Sequence, residues 1–205
     1  MHALLLDRLC GALGPALIVA AAAASLARLF GGSRAFRIAL AAACAGSVLL
    51  PVNGLPLYGY FRGVAGDLSV TTLALLLAAS LAAAGGGPIL RDPDRALLFA
   101  AVALAGLVLY PTAAGFTPFD VYHLGYRPFG LVCGVLAVSL WAWVSGRRAA
   151  ALIPLVALAA FDLHAIESGN LWDYLLDPLV ALYACGWWLQ RIARALGRRP
   201  RPEKH

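Results

Sequence analysis

The chain has 205 residues, of which 62% are hydrophobic and 13% are charged, and its formal net charge is +6 at pH 7. Charged residues make up about a quarter of a soluble globular domain, so this composition excludes an ordinary soluble fold and favours a protein that has lipid as its solvent. The basic residues fall in short connections and in the tail, which favours membrane topology over nucleic-acid binding.

Apolar segments separated by Gly, Pro and charged residues predict an all-α fold, a polytopic membrane bundle of about seven transmembrane helices. We expect a single transmembrane domain over 1–196 and a basic, disordered cytoplasmic tail over 197–205. The first segment has no basic n-region and no small-residue cleavage site, so we interpret it as a retained helix. In chain order the predicted segments are 9–30, 36–52, 68–87, 96–114, 128–146, 149–165 and 178–196.

The charges between these segments predict the orientation of the helices. Lys and Arg residues that flank membrane helices are retained on the cytoplasmic side. Arginines dominate every second connection and the tail, whereas the other connections carry most of the acidic residues and two histidines. We therefore expect an extracytoplasmic N-terminus and a cytoplasmic C-terminus. Heavy use of Ala, Arg and Leu is typical of a GC-rich bacterial genome, which favours the bacterial inner membrane.

The first outer connection, 53–67, offers a candidate anion site. Tyr58 and Tyr60 lie on one side of this segment if it is extended, and Arg62 presents a planar fork that matches phosphate or carboxylate. These three residues and Arg127 of the next outer connection are the candidate substrate-binding residues. The alternative is that Arg62 pairs with Asp67, that Asp67 caps the next helix, and that the tyrosines lie at the membrane interface.

The second outer connection, 115–128, carries Asp120 and His123 three residues apart. On a helix, residues i and i+3 share a face, so the carboxylate and the imidazole would form an oriented acid–base pair or bind a metal. A surface histidine beside an aspartate is also a common chance arrangement. Both readings stay open.

The third outer connection, 162–177, is the richest in ionisable groups. If the preceding helix continues to Ser168, His164 and Glu167 share one face, and they are the candidate ligands of a divalent metal. Asp162 completes the candidate catalytic set, although no recognised metal motif such as HExxH is present. The rest of the connection reads as a short interfacial helix over 170–176, with Tyr174 at the head-group level and Asp173 in water.

Polar residues at helix starts have structural explanations. Asp92 and Asp177 each precede a proline, as an N-cap residue does before a proline at the first helical position. Ser69, Thr71 and Thr72 begin the third segment, where their hydroxyls either face a cavity or bond back to their own helix.

The helix surfaces carry two further signals. Gly130 and Gly134 form a small-residue seam, for which we expect close packing within the bundle, with a dimer interface as the alternative. Four tryptophans near the inner ends of two segments are expected to anchor the helices at the membrane interface. They are Trp141, Trp143, Trp187 and Trp188.

The sequence leaves open whether the protein is an enzyme. One hypothesis is a metal- or acid/base-assisted hydrolase or transferase that acts on a lipid or lipid-linked substrate from the extracytoplasmic side. The other is a non-catalytic accessory or assembly subunit of a cell-envelope complex, with a partner membrane protein. A transporter is less favoured, because the segments are nearly clean of charges. The candidate catalytic residues are Asp120, His123, Asp162, His164 and Glu167.

Overall fold

The structure, a computed structural model, describes residues 2–197, with side chains from residue 11 onward. Over these residues the fold is all-α, as predicted, with one small β-hairpin. Each of the seven predicted segments overlaps one helix of 14 residues or more. The prediction of a disordered tail falls, from residue 198, outside the described residues. The helices are α1 (His2–Leu29), α2 (Arg34–Ser47), α3 (Leu57–Ala65), α4 (Val70–Ala83), α5 (Asp92–Ala113), α6 (Phe129–Val144), α7 (Arg148–Asp162), α8 (Leu171–Leu175) and α9 (Pro178–Gly197).

Within residues 2–197, two helical stretches are long and apolar enough to cross a membrane, by length and composition alone. They are Gly11–Leu29 of α1, where Pro15 lies inside the helix, and Asp92–Ala113, which is α5. Helices α4 and α6 are also apolar but shorter, with 14 and 16 residues. Seven membrane crossings therefore stay a prediction.

Short polar side chains set several helix boundaries. Asp177 accepts a hydrogen bond from Val180 N (2.9 Å) at the start of α9, so its predicted capping role is confirmed. The other two predicted acidic caps are wrong: α5 begins at Asp92 itself, and the residue that caps α4 is Ser69 rather than Asp67. A hydroxyl oxygen fits this position because it accepts from a backbone N–H that the first turn leaves unbonded.

The second predicted segment ends earlier than expected. Helix α2 stops at Ser47, and the chain then forms a hairpin of β1 (Pro51–Val52) and β2 (Leu55–Pro56). Asn53 and Gly54 form its turn with φ of 49° and 83°, the left-handed geometry that two-residue hairpins need. Because α3 follows directly, Tyr58 and Tyr60 lie on a helix, where residues two apart point in different directions.

Close helix packing centres on α5 and α9. Phe99 of α5 is buried and meets the rings of Tyr183 and Trp187 edge-on, with ring centroids 5.4 and 5.5 Å away. About two turns further along α5, a Cβ added at Gly106 would lie 2.9 Å from the Cβ of Ala181, so the backbones approach closely there. Helix α1 packs against α2 and α4, and α6 packs against α7. These contacts hold the connections at two opposite ends of the bundle.

The two ends differ in charge, and we call them the acidic end and the arginine end. An ion pair between Arg62 Nη2 and Glu167 (3.4 Å) joins the first and third connections at the acidic end. At the arginine end, Arg91 Nη2 donates to Gly146 O (2.7 Å) across two connections. The acidic end comprises 48–69, 114–128 and 163–177, and the arginine end comprises 30–37, 83–95, 145–150 and 190–197.

Candidate functional site

A buried asparagine joins the second and third connections at the acidic end. Asn170 is 0% exposed. Its Nδ2 donates to Tyr122 O (3.0 Å), its Oδ1 accepts from Trp172 N (2.9 Å), and its backbone N donates to Ser168 Oγ (3.0 Å). A buried amide with these partners is satisfied and rigid, so it serves structure rather than ligand binding. We call the set Tyr122, Gly125, Ser168, Asn170, Trp172 and Asp173 the Asn170 clamp.

Gly125 makes the clamp possible. A Cβ built at this buried glycine would lie 1.7 Å from Asn170 Oδ1, a distance that no side chain tolerates. Trp172 adds a second tie, because its Nε1 donates to Val121 O (3.0 Å). The 3-10 helix Tyr122–Tyr126 is therefore held directly against the segment that leads into α8.

Asp173 was expected to lie in water, but it is part of the Asn170 clamp. It accepts hydrogen bonds from Tyr122 OH (3.0 Å) and from Ser168 Oγ (2.5 Å). Burial raises the pKa of the Tyr122 phenol above its ordinary value, and the Asp173 carboxylate raises it further. Tyr174, expected at the head-group level, is instead buried, and its hydroxyl donates to Ile166 O (2.8 Å). The predicted short helix exists, but it is packed into the fold.

Asp177 forms a second buried network at the same end. Its carboxylate accepts from Ser69 N (2.9 Å), from Thr72 Oγ1 (2.5 Å) and from Val180 N (2.9 Å), and so ties the start of α4 to the start of α9. Backbone and hydroxyl donors take up both of its oxygens. Among the hydroxyls expected at this helix start, that of Ser69 donates to Thr72 Oγ1 (3.0 Å) and that of Thr72 donates to Asp177, so both are structural.

Asp120 and His123 do not form the expected helical pair. Asp120 lies before the 3-10 helix, and its Oδ1 accepts from Tyr122 N (2.9 Å). His123 lies inside that helix, is exposed, and has its ring 6.2 Å from the ring of Tyr126. Each side chain thus has a different neighbour, and their role in acid–base chemistry stays a prediction.

The third connection also departs from the expected helix. Helix α7 ends at Asp162, and His164 adopts φ of 52°, so His164 and Glu167 share no helix face. His164 Nδ1 lies 3.0 Å from Asp162 O. Among the side chains from 11 to 197, no group of three or more His, Cys, Asp or Glu residues comes together in a way that would hold a metal. A metal at His164 and Glu167 stays a prediction without a described third ligand.

Arg62 forms the ion pair that was the alternative to an anion site. Its Nε lies 2.8 Å from Asp67 Oδ1, and its Nη2 donates to Asp67 Oδ2 (3.0 Å), a two-point contact between the two charges. Tyr60 OH donates to Val52 O (2.9 Å), and Tyr58 is half-buried. The Tyr60 hydrogen bond holds α3 against the hairpin, and the Arg62–Glu167 ion pair holds α3 against the third connection.

Arg127 differs from Arg62, because none of the described groups hydrogen-bonds to or pairs with its exposed guanidinium. A cavity of about 500 Å3 opens beside it between α4, α5, α6 and α7. We call it the Arg127 groove. Its walls are almost wholly apolar, and Thr71 adds a hydroxyl. The lining residues include Thr71, Leu98, Ala105, Arg127, Gly130, Gly134, Val138 and Leu175.

The small-residue seam lines this groove instead of packing against a helix. A Cβ added at Gly130 or Gly134 would meet no described atom within 4 Å. The expected close packing of the seam within the bundle is therefore wrong over the described residues. Because these two glycines have no side chains, α6 fills little of the groove, and the space next to Arg127 is wider.

One buried carboxylate lies at the arginine end. Asp94 is 1% exposed; it pairs with Arg91 Nε (3.1 Å) and accepts from Ala150 N (3.3 Å) at the start of α7. Through Arg91 the same contact reaches Gly146 O. It ties α5 to the turn between α6 and α7, and it matches Asp177 as a buried acceptor at the opposite end.

Sequence reasoning missed the residues that hold these networks, namely Asn170, Gly125 and Asp94. Asn170 carried a usable signal, because asparagine directly before a short apolar run is a preferred N-cap, and its side chain does cap α8. Gly125 and Asp94 carried none, since their partners lie in other connections.

No family model matches the chain, and no match to it was found among curated proteins or among solved structures.

Proposed function

We propose that the protein is a seven-span integral membrane protein of the bacterial inner membrane that binds an anionic lipid or lipid-linked substrate in the Arg127 groove. In this proposal one transmembrane domain has its N-terminus outside, its C-terminus in the cytoplasm and its acidic end outside. The seven long helices and the alternation of charge in the connections support it. The observation that carries it is the combination of an apolar cavity with an arginine at its rim.

Arg127 supplies the selectivity of such a site. Lipid tails are as apolar as the groove walls, so moving a tail from the bilayer into the groove releases little free energy. Recognition has to come from the polar head. A guanidinium presents a planar fork to phosphate, and a charged partner strengthens each hydrogen bond. The volume of about 500 Å3 lies within the range of small-molecule sites.

Binding is the part of the function that the geometry supports best. A hydrolase or transferase acting on this lipid would draw its acid or base from the exposed groups of the acidic end. None of the five candidates lines the Arg127 groove within the described part of the chain, so a reaction rests on sequence pattern alone. His123 is the nearest of the histidines to Arg127 along the chain.

One observation favours a second function, that of an accessory subunit in a cell-envelope complex. Gly130 and Gly134 meet no described atom in this chain, and a small-residue seam of this kind seats a neighbouring membrane helix. A partner helix in the groove would exclude the lipid. A lipid and a partner helix would therefore occupy the same surface, and one experiment distinguishes the two functions.

The test compares lipids and proteins that remain bound to purified variants. We expect Arg127→Gln to lower the amount of copurifying anionic lipid by the share that the Arg127 groove holds, measured by mass spectrometry after extraction. Gly134→Leu fills the groove without a change in charge and should lower it similarly. The control is Arg148→Gln, which removes an equal charge at the arginine end and should have no effect.

Equal lipid content in all four proteins would overturn lipid binding in the groove. Loss of a stoichiometric partner protein from Gly134→Leu, with lipid content unchanged, would replace the lipid with the accessory-subunit function.

A further inference from the structure

A basic groove lies at the arginine end, between the start of α5 and the end of α9. It encloses about 470 Å3, and three arginines and one acid line it. Arg95 Nη1 lies 3.9 Å from Asp92 Oδ1, at the outer limit of an ion pair, and the Asp92 side chain is 79% exposed. One exposed carboxylate at this distance neutralises little of the charge. The arginines are Arg95, Arg191 and Arg194.

Among the described residues, the other two guanidiniums have few acceptors, so most of their N–H groups are open to a ligand there. Arg194 Nη2 reaches Gln190 Oε1 only at 3.4 Å. Arg191 lies over aromatic faces, 5.1 Å from the ring of Trp187 and 6.0 Å from that of Trp188. A cation held over a ring keeps its position without using its hydrogen-bond donors. The groove thus presents positive charge at fixed positions, and most guanidinium N–H donors there have no acceptor among the described residues.

Arg95 also lines a second, apolar cavity. This cleft encloses about 510 Å3 between α1, α4, α5 and α9, and its walls are mainly aliphatic. Leu76, Ala79, Phe99 and Leu179 are among the residues that line it. Arg95 therefore lines both the basic groove and the apolar cleft. A ligand that fills both is amphipathic, with an anionic head and an apolar tail.

We propose that this pair of cavities binds an anionic phospholipid from the leaflet at the arginine end. The phosphate head lies among Arg95, Arg191 and Arg194, and an acyl chain lies in the cleft. Charge complementarity selects the occupant, because basic pockets between membrane helices bind anionic head groups. The apolar cleft excludes a free anion as the full ligand. The site shares no residue with the Arg127 groove.

The test measures lipid adducts by native mass spectrometry on the full chain in a neutral detergent. Phosphatidylglycerol and phosphatidylcholine with identical chains are the probes, and inorganic phosphate is the third. We expect phosphatidylglycerol to bind about tenfold more tightly than phosphatidylcholine. In an Arg127→Gln background, which removes the head-group contact of the Arg127 groove, the double variant Arg95→Gln/Arg194→Gln should abolish this preference. Arg28→Gln, which removes an exposed arginine in the last turn of α1 outside the basic groove, should retain it.

A second variant tests the tail. Ala79→Trp fills the apolar cleft and changes no charge, so it should weaken binding of phosphatidylglycerol and leave any weak binding of phosphate unchanged. The proposal is overturned if wild type shows no preference for phosphatidylglycerol, if Arg28→Gln loses as much as the double variant, or if phosphate alone matches the lipid. Arg127→Gln should leave this preference intact, so failure at the Arg127 groove and failure here are distinguishable.

Discussion

Two carboxylates of the acidic end and two guanidiniums of the arginine end use their charges in opposite ways. At the acidic end, Asp177 and Asp173 accept hydrogen bonds from backbone N–H groups and hydroxyls, so the fold itself uses their oxygens. At the arginine end, Arg95 and Arg191 face a cavity. Arg191 lies over the ring of Trp187, and Arg95 has only the distant carboxylate of Asp92 as a partner among the described residues. The comparison teaches that the number of ionisable groups is a poor guide to a binding site. What matters is how many donors and acceptors the fold leaves unused.

The largest effect should come from filling the space in the Asn170 clamp. Gly125→Val would force a side chain into Asn170 and break the hydrogen bonds that join the two connections. We expect a loss of about 3 kcal/mol or more in the free energy of unfolding. The measurement is denaturant unfolding in detergent, followed by Trp fluorescence. Gly63→Ala is the control, because its added Cβ meets no described atom within 4 Å. Equal stability of both variants would contradict a rigid acidic end.

The buried carboxylates at the two ends should differ in their contribution. Asp177→Ala leaves two backbone N–H groups and one hydroxyl without their acceptor, so we expect a loss of about 3 kcal/mol. Asp94→Ala should cost less, about 1 kcal/mol, because only the Ala150 N–H is left without its acceptor, while Arg91 is largely exposed and returns to water. The same unfolding experiment compares them, with the exposed Asp92→Ala as the control. A larger loss at Asp94 would reverse the contrast between the ends.

The smallest effect concerns Tyr122 and depends on pH. Because the folded protein raises the pKa of this phenol, its contribution to stability is fully present below the unfolded pKa, near 10. It is lost as the pH rises from there towards the folded pKa. Tyr122→Phe should therefore cost about 1 kcal/mol at pH 8, and its deficit should shrink above pH 10.

Melting temperatures of wild type and Tyr122→Phe across this pH range measure the effect. Tyr183→Phe serves as the control, since Tyr183 is exposed and its ring contact with Phe99 survives the substitution. A deficit that stays constant up to pH 11 would show that the Asp173 contact does not hold the phenol protonated.

The sequence predicted the long helices well, because their signals are local. Apolar runs bounded by Gly, Pro and charge locate seven helices, and Asp177-Pro178 predicts the start of α9. The hairpin was missed although Asn53-Gly54 is a strong turn signal, because the preceding apolar run was extended to Val52 and so covered the first strand. Local sequence patterns predict local structure, but the prediction fails where a helical pattern and a hairpin pattern overlap.

The candidate site was only partly predictable, because it depends on contacts between distant segments. Arg62 and Asp67 are five residues apart, so their pairing was foreseeable as an alternative. His164 gave no sign of its left-handed backbone, which separates it from Glu167. Arg95 and Arg191 were interpreted only as orientation signals, since their common groove arises from the packing of α5 against α9.

The bond between Ser69 and Asp177 has a consequence for biosynthesis. The two residues are 108 positions apart, and Asp177 also accepts from Thr72 and from Val180 of the last described helix. A chain is synthesised from its N-terminus, so α4 is made long before its acceptor exists. Until α9 arrives, the donors of α4 depend on water or on transient partners. A chain truncated before residue 177 thus keeps the Ser69 N–H and the Thr72 hydroxyl of α4 without their acceptor.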